Sequence, residues 1–135
     1  MGFLTNLIRG VSMSMSDKGA PVIDGVWERY DDKFAGCQVE VVPTPEGRIG
    51  VIVGLPESMR SCGWALGDVK WEAVTPVSTM AHELKDLYKA FDINLRRVTK
   101  TGFVDATATF LTRDLLQVEV EGKLQKWKRA GAFGK

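Results

Sequence analysis

The sequence predicts an all-β fold, an antiparallel eight-stranded up-and-down barrel, on three observations. Between Phe91 and Arg129, apolar and polar residues alternate with the period of two that half-buried strands require. Short clusters of turn-forming residues separate the strand-like stretches, which favours antiparallel neighbours. Eight such stretches, each with an apolar face, can remove both exposed edges by closing on themselves. A two-sheet sandwich is the architecture that the same alternation would also serve.

Taken in order, the chain divides into an N-terminal segment over 1–20, a barrel domain over 21–130 and a tail over 131–135. Phe3, Leu4, Leu7, Ile8 and Val11 follow Gly2 at helical spacing, so 2–11 reads as a short amphipathic helix leading into a flexible stretch. Such a helix either caps an open end of the domain or docks on a partner or a membrane surface. Arg9, with no acid before Asp17, also fits an organelle-targeting segment. Asn6 and Arg9 interrupt the apolar run and make it a poor secretory signal.

The first strand, near 25–30, opens on Gly25, Val26 and Trp27. Near 35–42, Cys37, Val39 and Val41 share one face and Gln38 and Glu40 the other. The turn formers Pro43, Pro45 and Gly47 connect this strand to 48–55, which is apolar on both faces apart from Gly50 and Gly54. A loop over 56–63 leads to a strand over 67–74, where Val69, Trp71 and Ala73 oppose Lys70 and Glu72. Met80, Leu84, Leu87 and Tyr88 match a helical template, so a short helix is expected within 78–90; a loop followed by a strand through Leu87 is the competing reading. The last four strands are expected at 91–98, 103–111, 115–121 and 124–129. Among them, Val104, Ala106, Ala108 and Phe110 alternate with Asp105, Thr107 and Thr109, and Leu116 and Val118 with Gln117 and Glu119.

Bulk properties exclude more than they propose. At 135 residues, 44% hydrophobic and 26% charged, the chain suits one globular domain. Lys plus Arg number 18 against 17 Asp plus Glu, so net charge gives no reason to expect nucleic acid or an anionic membrane as partner. Trp127 among Lys123, Lys126, Lys128 and Arg129 resembles a single-strand binding mix, but alternation separates Lys126 and Lys128 from Trp127 and Arg129. Cys37 and Cys62 are expected as reduced thiols in a cytoplasmic protein. His82 is the only histidine and has no metal-ligating neighbour at motif spacing, so no metal and no cofactor are expected. No apolar run reaches membrane-span length. The carboxylate pairs Asp31/Asp32 and Glu119/Glu121 fall in a turn and on a solvent face, which gives no shielded acid and base, and an enzyme is not the expectation.

Gly25-Val26-Trp27 on the first strand and Trp127-Lys128-Arg129 on the last resemble the calycin, or lipocalin-like, superfamily. With the Pro/Gly hairpin and Cys62 before Gly63-Trp64, their order looks like the compact bacterial calycins of unknown function. The resemblance implies that Arg129 packs over the ring of Trp27 where first and last strands meet, as a cation-π contact. It also implies a non-enzymatic barrel binding a small apolar ligand. Strand parity nominates Cys37, Val51, Trp71, Ile93, Ala106 and Ala108 as the interior positions that would line it. The alternative is a filled barrel acting as an accessory or scaffold subunit, docking on a protein partner through its outer face and the helix over 2–11.

Overall fold

The computed structural model describes residues 20–130. Its eight strands form one closed antiparallel barrel in sequence order: β1 (Gly25–Tyr30), β2 (Gln38–Thr44), β3 (Gly47–Gly54), β4 (Val69–Pro76), β5 (Ala81–Asp92), β6 (Arg97–Thr112), β7 (Leu115–Val120) and β8 (Lys123–Arg129). A single turn of helix, α1 (Glu57–Arg60), lies in the connection between β3 and β4. The helix expected over 2–11 lies outside the described residues.

Closure rather than a sandwich is decided at β1, which pairs with both β2 and β8. Trp27 and Arg129 are direct partners in that last ladder. The guanidinium carbon of Arg129 sits 4.3 Å from the Trp27 ring centroid. Its nitrogens donate to the carbonyls of Val22, Asp24 and Arg113 at 2.7–3.0 Å and to Asp114 Oδ1 at 3.1 Å. One side chain thus ties the lead-in to β1, the β6–β7 turn and β8 into one rim. Trp27 completes the joint by donating its indole N–H to the carbonyl of Ile23 at 2.8 Å.

Most of the segment expected as a short helix within 78–90 is instead strand, the first ten residues of β5, as the competing reading of a loop followed by a strand through Leu87 has it. Its inward row is His82, Leu84 and Asp86. Two of those three positions are polar, which hid the period of two, while Met80, Leu84, Leu87 and Tyr88 fell at helical spacing by accident. The strand expected over 91–98 is correspondingly the end of β5, a turn at 93–96 and the start of β6.

Two interior assignments need correction. Val51 is only half-buried and looks outward: on β3 the inward residues are Gly50 and Ile52, paired with Val41 and Val39. That strand is apolar on both faces, so nothing in its pattern reveals parity. Ile93 is 78% exposed, because it sits in the turn after β5 rather than in a strand.

Arg129→Ala is expected to cost about 2 kcal/mol, since it removes the ring contact and leaves carbonyls at the rim without their charged donor. Urea unfolding measures this; an unchanged midpoint would take Arg129 out of the closure.

Candidate functional site

The barrel interior is built around indoles. Trp27, Trp71 and Trp127 are each 0% exposed, as is Ala108. Trp71 and Trp127 meet edge to face at 4.9 Å, Trp27 lies 6.0 Å from Phe110, and Phe110 lies 6.0 Å from the His82 ring. Gly50 makes this packing possible, because a Cβ there would come within 2.9 Å of Trp71 Cε3 and 2.7 Å of Val39 Cγ1. Small residues on one wall therefore accommodate large rings from another.

Among the nominated positions, Cys37, Trp71, Ala106 and Ala108 are buried in one core cluster. Val51 and Ile93 do not join them. Burial pushes the Cys37 thiol up to about 11, with Lys70 pulling weakly the other way, so it is a protonated packing group rather than a nucleophile.

Strand periodicity missed the charged part of this interior. Trp71 pairs with Gly50 and Val69 with Val51, which leaves Lys70 unmatched in a β-bulge, and both Lys70 and Trp71 are buried. Lys70 Nζ donates to Asp86 Oδ1 at 2.6 Å and to the carbonyl of Leu87 at 2.9 Å. The pair is only 3% and 4% exposed by residue. Desolvation pulls the Lys70 ammonium down from its ordinary value, and the Asp86 carboxylate opposes that pull.

Trp64 covers the pair. Lys70 from within and Lys89 from the outer side each place Nζ 5.2 Å from its ring centroid. Lys89 is held there by Asp68 at 2.8 Å and by the carbonyl of Gly63 at 2.9 Å. With Met59 of α1 and half-buried Leu55 and Cys62 packed on the same core, joined by Phe34 from the β1–β2 connection, the β3–β4 connection forms a plug over this end of the barrel.

Two buried polar atoms have no hydrogen-bond partner among the described residues, Trp71 Nε1 and His82 Nδ1. Burial first, and then Arg48, hold His82 below its ordinary value, while Asp24 opposes them.

Among the described residues, clefts open outside the barrel. One, of about 600 Å³, crosses β4 to β7 and is lined by Thr75, Glu83, Lys85, Asp105, Glu119 and Glu121 among others. Another, of about 580 Å³, separates the plug from the β5–β6 hairpin and is lined by Arg60, Ser61, Cys62, Gly63, Phe91, Ile93, Arg96, Arg97 and Val98. Among the described residues no group of three or more His, Cys, Asp or Glu side chains could hold a metal, and no helix is long and apolar enough to cross a membrane.

No protein-family model matches the chain, and neither a curated protein nor a solved structure matches it.

Breaking the buried pair from one side leaves the other charge uncompensated, so Lys70→Met or Asp86→Leu alone is expected to cost about 3–5 kcal/mol and the double variant much less than their sum. Additive losses in a double-mutant cycle would mean that the two charges do not depend on each other. His82 sets a second expectation. Because its folded value lies below the unfolded one near 6.5, its contribution is intact above about pH 6.5 and declines as pH falls toward the folded value. Denaturant midpoints between pH 7.5 and about 5.5 should therefore fall for the native chain and flatten in His82→Leu; parallel curves would contradict it.

Proposed function

We propose that this chain is a non-enzymatic, calycin-like barrel whose interior serves as a packed frame and whose binding takes place on its outside, as an accessory subunit docking on a protein partner. One observation carries the reading: the axis of the barrel is occupied by Trp27, Trp71, Trp127 and Phe110 in mutual ring contact or near it, with Ala108 fully covered among them. Eight strands enclose a space just wide enough for side chains to fill, and these side chains are large. The groove across β4 to β7 offers a docking face of definite charge. Its Lys85 is tied to Asp105 at 2.7 Å, and Glu83, Glu119 and Glu121 add further carboxylates, a lining that suits a basic segment of the partner.

A second reading keeps the ligand inside, a small and mostly apolar molecule against Cys37, Trp71, Ala106 and Ala108. The unpartnered Trp71 Nε1 favours it, since a guest with one acceptor atom would satisfy that donor.

Native mass spectrometry of the chain purified from its own source separates the two. Co-purification with a second polypeptide and no small molecule is the expected result; a stoichiometric apolar compound released on denaturation would install the interior reading instead. Ala108→Leu gives an independent check, because in a filled core it should lower stability by about 1–3 kcal/mol through overpacking. A silent substitution would show that space is available beside Trp71.

A further inference from the structure

The far end of β5 and β6 runs on past the strands that flank it. The ladder between β4 and β5 ends at Trp71 and Asp86, and that between β6 and β7 begins at Ala106 and Val120. Beyond these points β5 and β6 pair only with each other, through six residue pairs from Leu87 and Phe103 to Asp92 and Arg97. The result is a two-stranded arm about 20 Å long at roughly 3.3 Å per residue. It leans on the plug, where a Cβ at Gly63 would collide with Val98 Cγ2.

The turn at the tip is held firmly. Asp92 Oδ1 accepts the amides of Asn94 and Leu95 at 2.8 and 2.9 Å, and the Arg96 amide donates to the Asp92 carbonyl at 2.7 Å, with Arg96 in the left-handed region at φ +56°. This well-bonded turn nonetheless presents Ile93 at 78% and Leu95 at 55% exposure. Other exposed aliphatics, such as Val22, Val77 and Leu111, belong to different elements and are ordinary surface residues. Two at the apex of a projecting arm, separated by one residue, form a wedge.

Cations lie beside the wedge. Arg96, Arg97 and Lys100 lie on the arm and Arg60 faces them across the cleft, whose lining contains no carboxylate. Arg60 reaches Glu57 only at 3.9 Å. Asp92, the acid nearest the tip in sequence, has its Oδ1 engaged by the turn amides. An apolar point flanked by guanidinium groups is complementary to a surface that is anionic outside and hydrocarbon within. Single-stranded nucleic acid fits less well, because the tip offers aliphatic side chains rather than exposed rings for stacking.

We propose that the tip of the β5–β6 arm docks the protein on an anionic phospholipid bilayer, Ile93 and Leu95 entering the boundary between headgroups and acyl chains while Arg60, Arg96 and Arg97 pair with lipid phosphates. The docking leaves the groove across β4 to β7 free, so a membrane-bound barrel can still hold a partner.

The test is co-sedimentation of the full chain with vesicles of phosphatidylcholine alone or mixed with phosphatidylglycerol. Binding is expected only to the mixed vesicles and should weaken as salt is raised. Each juxtamembrane cation contributes about five-fold to partitioning, so Arg96→Gln with Arg97→Gln should weaken it about 25-fold. Ile93→Ser with Leu95→Ser should reduce binding as well, without altering the urea midpoint, because both side chains are exposed. Vesicle binding that both double variants retain would assign the contact to another segment, including 2–11, and overturn the proposal, as would equal binding to both vesicle types or none. Amide exchange of the unsubstituted chain provides a readout free of any variant: added mixed vesicles should protect 93–97, and unchanged exchange there would also overturn it.

Discussion

Everything in this structure depends on the joint between its first and last strands. An antiparallel sheet of eight strands has two edges, and only their pairing makes an inside. Arg129 secures that pairing by reaching three carbonyls and a carboxylate from different segments while covering the Trp27 ring. Once the circuit is closed, the strand number fixes the enclosed width. Large rings on β1, β4, β6 and β8 pack inside, where Gly50 on β3 and the small Ala106 and Ala108 on β6 give them room.

The two ends of the barrel are finished by different chemistry. At the Arg129 end a charged rim gathers main-chain carbonyls. At the other, the bulge at Lys70 turns an ammonium inward to meet Asp86, and Trp64 closes over it between two lysines. A buried pair of this kind is weak as a source of net stability, but it tolerates few alternatives: a sheet register that separated Lys70 from Asp86 would strand two charges in the core. The pair therefore favours the register of β4 against β5 and anchors the root of the projecting arm.

Much of this was legible in the sequence, and the parts that were not have physical reasons. Inward positions for Trp71, Ala106 and Ala108 followed from alternation, and the end motifs placed Trp27 beside Arg129. The strand β5 was legible only as the competing reading because His82 and Asp86 occupy its inward face, so the signal that reveals a strand was weakened by the residues that give this core its polarity. Val51 was misplaced because β3 is apolar on both faces. Lys70 could not be placed inward without knowing of a bulge, since one extra residue reverses the parity of everything after it. Ile93 and Leu95 alternated like a strand but lie in a turn; their exposure beside Arg96 and Arg97 emerged only when the arm was seen to outrun its neighbours.

The proposed function has the barrel filled and its binding on the outside, so the occupancy of its interior is the central claim. Xenon enters apolar cavities too dry for water and leaves a packed core alone. Titrating the protein with xenon while following the methyl resonances of Ala106 and Ala108 reads that occupancy at the wall beside Trp71. Unmoved methyl shifts are the expected result. Saturable shifts at both alanines would reveal a cavity and return the binding site to the inside of the barrel.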